Sequence, residues 1–226
     1  MKKVITLEQA IRQRHSVRSY ESKSIDEKIS DELNREIEKI NSESGLHFQL
    51  LLNRPEAFDS FLARYGGFKN VRNYFALVGS DDGTLDEKCG YYGEKLVLSA
   101  QRMGLSTCWI GGSFSRKKAA YEAEPGEKLC LIISVGYAAD EGKAHKSKDF
   151  SSVVSAQGDI PDWFRRGVEL SLLAPTALNR QKFLFIFDGA NTVSVKAGRG
   201  PFSGVDLGIV KYHFETGAGK DNFNWA

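Results

Sequence analysis

The chain has 226 residues, of which 41% are hydrophobic and 27% charged, a balance typical of a folded globular protein rather than a disordered one. Its 31 basic and 29 acidic residues give a net charge of +2, which provides no electrostatic reason to expect a nucleic acid as the main partner. The N-terminus has no apolar signal-peptide core, and the longest apolar run, residues 129–135, is too short to cross a membrane, so we expect a cytoplasmic protein.

Cysteines and histidines give no sign of a disulfide framework or a metal site. The three cysteines, Cys89, Cys108 and Cys130, are odd in number and lack the CxxC spacing, so we expect reduced and mostly buried thiols. The four histidines are scattered and show no ligand spacing. We therefore predict no metal.

Hydrophobic spacing predicts helices and strands through the first part of the chain. A capping box at residues 6–9 begins a short helix that ends near Arg14, and apolar residues at every fourth position from 25 to 37 predict an amphipathic helix. Strands are predicted at residues 46–52, 74–79 and 129–136, with a largely buried helix over residues 90–103 that ends at Gly104. The third strand is apolar on both faces, which predicts an interior position in its sheet.

The second part of the chain repeats this pattern. The helical spacing of residues 25–37 recurs at 160–172, and the strand at 48–52 recurs at 183–187, both at an offset of 135 positions. Two such units share the pattern either by common ancestry or because helix–loop–strand units are alike in general. The order of the blocks favours an internal duplication, with halves at residues 1–150 and 151–226, the second being shorter.

Residues 14–18, the arginine segment, read Arg-His-Ser-Val-Arg. In an extended backbone Arg14, Ser16 and Arg18 point the same way, and two guanidinium groups with a hydroxyl suit a phosphate. Residues 174–181, the proline loop, read Ala-Pro-Thr-Ala-Leu-Asn-Arg-Gln between a helix and a strand. Taken separately, the arginine segment is also compatible with a solvated basic turn, and the proline loop with an ordinary helix terminus.

Together these segments resemble motifs of the FMN-dependent nitroreductase and flavin reductase family. The chain matches that family in RHSVR at 14–18, GLSTCWIGG at 104–112, IISVGY at 132–137 followed by Lys146 and Lys148, and APTALNRQ at 174–181. The resemblance implies an α+β fold with a mixed sheet flanked by helices, and FMN as the cofactor.

The resemblance also implies which residues contact FMN. Arg14, Lys146 and Lys148 would hold the phosphate, Ser16 the phosphate or ribityl oxygens, and Arg18 the N1–C2=O edge of the ring, with His15 in the same motif. Ile110, Gly111 and Gly112 would present backbone near the ring and N5, while Pro175, Thr176, Ala177 and Asn179 would contact the ring from the other half. Lys69 and Asn70 are candidates for one further polar contact.

One departure from the family pattern bears on the architecture. Family members carry the APSxxN motif a few tens of residues after RHSxR, whereas residues 40–44 lack it here and only the second part contains it. The family's flavin site uses both subunits of a homodimer. The resemblance therefore implies two tandem related halves packed as an intramolecular pseudo-dimer with one flavin site, as a monomer or weak homodimer.

The activity implied by the resemblance is hydride transfer from NADH or NADPH to FMN, followed by ping-pong transfer to a nitroaromatic or quinone-like acceptor. No side chain is expected to act as an acid or base, because the flavin carries the chemistry. Two alternatives stay open: a flavin-binding or sensory protein without turnover, and a degenerate relative that has lost FMN.

Overall fold

The computed structural model describes residues 5–59, 63 and 65–226, which form two compact units. The first unit comprises Arg14–Leu85 and Leu96–Ala144, and the second comprises Ile5–Gln13, Asp86–Lys95 and His145–Ala226. Two short segments of the predicted first half therefore belong to the second unit. The reason for one of them is packing, because the N-terminal helix lies against the last two helices of the chain.

The described residues contain five α-helices and eight strands. The helices are α1 (Leu7–Gln13), α2 (Glu27–Ser44), α3 (Leu85–Arg102), α4 (Asp162–Ser171) and α5 (Ser203–Ala218). The strands are β1 (Gln49–Leu51), β2 (Tyr74–Ser80), β3 (Ser106–Ile110), β4 (Glu127–Gly136), β5 (Val154–Ala156), β6 (Phe183–Phe187), β7 (Thr192–Ala197) and β8 (Asn224–Trp225). The predicted α+β class is confirmed, with two four-stranded sheets.

The sheet of the first unit is antiparallel throughout, in the order β1-β2-β4-β3. Its two central strands are β2 and β4, and both are buried along most of their length. This confirms the interior position predicted for the strand at 129–136. Both faces of such a strand meet other protein atoms, so its sequence does not alternate between apolar and polar residues.

The regular part of the first strand begins at Gln49, so β1 is shorter than the predicted 46–52, although His47 N–H still donates to Val78 O of β2 at 2.9 Å. Asn41, near the end of α2, accepts a hydrogen bond from Phe48 N–H at 2.8 Å and donates one to Phe48 O at 3.0 Å. Because the backbone groups of an antiparallel strand alternate in direction, those of Phe48 face away from β2, and the Asn41 amide satisfies them at the outer edge. Gly45 ends α2 in the left-handed region, with φ of 70°.

The sheet of the second unit is mixed, in the order β5-β6-β7-β8. The outer pairs are parallel and the central pair, β6 with β7, is antiparallel. Its core is aromatic: Phe164, Phe185, Phe187 and Phe214 are fully buried, and the rings of Phe185 and Phe214 stack at 4.7 Å. Burial of rings this large contributes much of the unit's hydrophobic stabilisation.

Helices of the second unit cross at glycines that allow backbone contact. A Cβ atom on Gly208 of α5 would lie 2.0 Å from Glu87 O of α3, and one on Gly90 would lie 2.0 Å from Val205 O. Real Cβ atoms do not approach so closely, so both positions require glycine. Next to this crossing, the buried His213 contacts Leu170 O at 2.9 Å and a carboxylate oxygen of the buried Glu94 at 2.9 Å. The imidazole thereby links its own helix, α5, to α4 through Leu170 and to α3 through Glu94.

The N-terminal helix begins at the predicted capping box. Thr6 N–H donates to Gln9 Oε1 at 2.8 Å, and Gln9 N–H donates to Thr6 Oγ1 at 3.1 Å, so each residue satisfies the other's backbone. In the part of the chain that the structure describes, no helix is both long and apolar enough to span a bilayer.

Candidate functional site

The arginine segment runs beside β3 in the first unit. Ser16 forms an isolated parallel bridge with Thr107, and Val17 N–H donates to Thr107 O at 3.0 Å. Val17 is buried in a small apolar cluster with Tyr20 and Val71. Because side chains alternate along an extended chain, burying Val17 leaves its neighbours at positions 16 and 18 on the opposite side.

The Cys108 thiol of β3 lies within the electrostatic influence of the arginine segment. Burial raises the pKa of Cys108, while the positive charges of Arg18 and Arg14 and a hydrogen bond with Ser16 lower it. Arg14 itself is only 5% exposed, whereas Arg18 is open to solvent. That Arg14, Ser16 and Arg18 bind one phosphate together stays a prediction.

His15 takes a different direction. Its Nδ1 lies 3.0 Å from Glu141 O, in the loop that follows β4. This contact makes His15 a support for that loop, where Gly142 has a positive φ of 69°.

Lys69 lies directly beside the arginine segment. Lys69 N–H donates to Arg18 O at 2.9 Å, and Tyr20 N–H donates to Lys69 O at 3.1 Å. The neighbouring Asn70 uses its side-chain amide to donate to Tyr20 O at 3.2 Å. Lys69 and Asn70 are both exposed, and both stay candidates for one further polar contact.

The segment after β3 combines a buried side chain with open space. Ile110 is 2% exposed and packs in the core with Tyr74, Ala76 and Val78. At Gly112, apart from its chain neighbours, no heavy atom of the described residues lies within 4 Å of the position a Cβ would occupy. Packing within the protein therefore does not require glycine there, and the flavin contacts of residues 110–112 stay a prediction.

The proline loop, in the second unit, has an unusual backbone. Leu178, Asn179 and Gln181 all have positive φ, between 45° and 52°, which is uncommon for residues other than glycine. Leu178 is also 81% exposed. Such strain persists only where surrounding interactions hold the backbone in place.

Those interactions centre on Gln181, whose role the sequence reasoning missed. Gln181 is 1% exposed, accepts a hydrogen bond from Lys148 N–H at 2.9 Å, and donates to Lys146 O and Asn179 Oδ1, both at 2.8 Å. Its own N–H donates to Thr176 Oγ1 at 3.0 Å. The motif contained Gln181, but two of its partners, Lys146 and Lys148, lie more than 30 positions away.

Two further predicted site residues are engaged in the same network. Asn179 donates to Lys146 O at 3.0 Å, and the Lys148 ammonium donates to Gln181 O at 3.0 Å. An ammonium carries three protons, so Lys148 keeps donors for a ligand. Lys146 is exposed.

Asp206, on the first turns of α5, holds the other side of the proline loop. Its Oδ1 accepts a hydrogen bond from Ala177 N–H at 2.9 Å. Burial raises the pKa of Asp206 to about 6, and the Ala177 hydrogen bond opposes this rise. The sequence gave no signal for this contact. Across the ranges the structure covers, no group of His, Cys, Asp or Glu side chains is arranged to bind a metal.

Comparison with known proteins identifies one family along nearly the whole chain. Residues 6–218 match the model of a family described as "Putative TM nitroreductase". No curated protein matches the sequence.

Solved structures show the same fold. A "putative nitroreductase" from Thermotoga maritima aligns with a TM-score of 0.67 and 24% identity, covering 95% of this chain and 84% of that one. A "putative nitroreductase" from Desulfovibrio desulfuricans, solved in complex with FMN, aligns over 70% of this chain and all of its own, with a TM-score of 0.53 and 18% identity. A "Putative NADH dehydrogenase/NAD(P)H nitroreductase" from Bacteroides thetaiotaomicron covers 65% of this chain and 95% of its own, with a TM-score of 0.51 and 17% identity.

Proposed function

Because the chain belongs to the nitroreductase family whose model matches residues 6–218, we propose that it is an FMN-dependent oxidoreductase. Its reductant is NADH or NADPH, and its acceptor is a small nitroaromatic or quinone-like molecule. Bound FMN supplies the hydride and electron transfer, so the protein's task is to bind and orient the reactants.

The observation that supports this proposal is the position of the arginine segment, which pairs with β3 through Ser16 and buries Arg14. A dianionic phosphate needs cationic and hydroxyl donors fixed close together, and Arg14, Ser16 and Arg18 are the residues of this segment that would supply them. Burial of Arg14 strengthens its electrostatic attraction for an anion, because the local dielectric is low.

Within the first unit, we assign Arg14 and Ser16 to the phosphate and ribityl end and Arg18 to the ring edge. Lys69 joins Arg18 at that edge, since the two residues are adjacent in a paired backbone. Ile110, Gly111 and Gly112 present backbone groups to the ring, and the free space at Gly112 suits this role. His15 supports the motif through Glu141.

Within the second unit, we assign Lys146 and Lys148 to the phosphate and the proline loop to the ring. Thr176 Oγ1 accepts a hydrogen bond from Gln181 N–H, and Asn179 donates one to Lys146 O, so the contribution of these two side chains is to shape the loop. Pro175 and Ala177 offer apolar contact. The strained backbone is consistent with a surface held ready for a flat ring.

The absorption spectrum of the purified protein tests the cofactor assignment. We expect a visible flavin band in the protein as isolated, or after incubation with FMN and gel filtration. A protein that stays colourless after incubation is the degenerate relative instead.

Anaerobic addition of NADH or NADPH then separates an enzyme from a sensory flavoprotein. We expect the flavin band to bleach and to return when a quinone is added, with parallel double-reciprocal plots in the steady state. A flavin that does not bleach over minutes contradicts the oxidoreductase assignment and favours a binding protein.

A further inference from the structure

Gln181 joins two stretches of the second unit that are far apart in the sequence. One is residues 145–148, the lysine segment, and the other is the proline loop. The side-chain oxygen of Gln181 accepts Lys148 N–H, and its side-chain nitrogen donates to Lys146 O and to Asn179 Oδ1. With an exposure of 1%, this amide has its hydrogen bonds satisfied inside the protein.

The backbone of Gln181 adds two more connections to the same pair of segments. Its carbonyl oxygen accepts the Lys148 ammonium at 3.0 Å, and its N–H donates to Thr176 Oγ1 at 3.0 Å. These contacts hold Gln181 at a positive φ of 45°, which an L-residue adopts only under constraint. Two further hydrogen bonds, from His145 Nε2 and Ser147 Oγ to Leu172 O, fix the lysine segment to the end of α4.

Lysine side chains are long and flexible, so their hold on an anion depends on how firmly their backbone is fixed. Lys146 and Lys148 have their backbone groups bound to one buried amide. That amide also sets the shape of the proline loop. A change in Gln181 therefore alters the position of both lysines and the loop at once.

We infer that Gln181 is a positioning residue that couples the phosphate contacts of the lysine segment to the ring contacts of the proline loop. This inference rests on the proposed function, because it takes FMN to be the ligand of both segments. Gln181 acts through Lys146, Lys148 and Asn179 rather than by touching the cofactor.

The test compares FMN with riboflavin, which has the same ring and ribityl chain but no phosphate. Dissociation constants are measured by flavin fluorescence quenching for the wild-type protein, Gln181→Leu, and the matched control Gln157→Leu at an exposed position of the same unit. We expect the preference for FMN over riboflavin to shrink by about tenfold in Gln181→Leu, as for the loss of a charge-assisted contact. The Gln157→Leu protein should keep the wild-type ratio.

A second variant, Gln181→Met, guards against misfolding of the leucine protein. Methionine has nearly the same length as glutamine and no charge, so it removes the donors to Lys146 O and Asn179 Oδ1 without placing a carboxylate against those oxygens. Combining it with Lys148→Met gives a double-mutant cycle. If Gln181 acts through Lys148, the loss of FMN affinity caused by Lys148→Met will be smaller in the Gln181→Met background than in the wild-type one.

Four results are informative in different ways. Equal weakening of FMN and riboflavin, with additive effects in the cycle, overturns the coupling and makes Gln181 a residue of the fold alone. A reduced ratio with non-additive effects supports it. A wild-type protein that binds neither flavin removes the proposed function and this inference together, whereas wild-type binding with an unchanged ratio removes only the inference.

Discussion

Arg14 carries a permanent charge and yet is 5% exposed, an arrangement that costs free energy unless the charge interacts favourably. We predict that Arg14→Ala weakens FMN binding by about 1.5–3 kcal/mol, the range for a lost hydrogen bond to a charged group. The dissociation constant can be measured by fluorescence titration.

The control for this prediction is Arg35→Ala. Arg35 is an exposed arginine of α2 that pairs with Glu32 on its own helix. Its removal should leave FMN affinity unchanged. An affinity equal to wild type in Arg14→Ala as well would make Arg14 a structural arginine.

Asp206 provides a prediction about pH and stability. Burial raises its pKa in the folded protein to about 6 from the ordinary value of 3.8. The folded state therefore holds this proton more tightly than the unfolded state, so the contribution to stability is present below pH 4 and is lost as the pH rises through 6. Asp206→Asn keeps the acceptor for Ala177 N–H without the charge. We expect the variant to be more stable than wild type above pH 6, on the order of 2 kcal/mol.

Urea unfolding at several pH values checks this expectation. The difference between Asp206→Asn and wild type should be largest above pH 6 and close to zero at pH 4. The exposed Asp221→Asn serves as a control for the loss of one negative charge in the same unit. A difference that does not vary with pH would show that burial of the Asp206 charge is not its cause.

At the residue scale, the sequence predicted the orientation of neighbouring residues better than contacts between residues far apart in the chain. Burial of Val17 leaves Ser16 and Arg18 on the other side of the extended segment, as its alternation predicts, while the phosphate role of these residues stays a prediction. The roles of Gln181 and Asp206 depend on tertiary partners, at Lys146 and Lys148 for one and at Ala177 for the other. No local pattern encodes such pairings.

At the element scale, the crossing of α3 and α5 is the most demanding feature of the second unit. We predict that Gly208→Ala lowers the free energy of unfolding by about 3 kcal/mol or more, because the new methyl group would overlap Glu87 O and Tyr91 N. Chemical denaturation of the apoprotein measures this directly.

Gly200→Ala is the matched control for that prediction. Among the described residues, no heavy atom lies within 4 Å of the Cβ position at Gly200, and its φ is not in the left-handed region. Its stability should stay within about 1 kcal/mol of wild type. A similarly small effect of Gly208→Ala would mean that α3 and α5 can move apart without loss of stability.

Strands with long apolar runs were predicted most accurately. The strands at 74–79, 129–136 and 183–187 are long apolar runs, and each exists close to its predicted bounds. The short strands β5 and β8 were not predicted, since two or three residues carry no periodicity and their pairing depends on neighbours from elsewhere in the chain. The helix α3 begins at Leu85 rather than Gly90, and the acidic residues of its first turn were the overlooked signal.

At the scale of the whole molecule, the two predicted halves share an order of elements. The first runs α2, β1, β2, α3, β3, and the second runs α4, β6, β7, α5, β8. Gly104 and Gly219 both follow the long helix of their half with positive φ, 85° and 78°. In the second sheet β8 pairs directly with β7, whereas β4 lies between β2 and β3 in the first. The duplication stays a prediction.

If the halves are related, only one of them carries the arginine segment, so we predict one FMN per chain. The measurement is the ratio of released flavin, from its absorbance, to protein, from amino-acid analysis, after saturation and gel filtration. A ratio near two would mean that the second unit has a phosphate site of its own that its sequence does not reveal.

The membership of α1 in the second unit has a consequence for biosynthesis. Glu8 pairs with Arg166, a residue 158 positions later, and the buried Ala10 and Ile11 lie on a helix packed against α4 and α5. Translation runs from the N-terminus, so α1 is synthesised long before its partners α4 and α5, and the stretch Asp86–Lys95 also precedes most of its unit. Until those partners follow, the apolar faces have nothing to cover them, which exposes the nascent protein to chaperones and to aggregation.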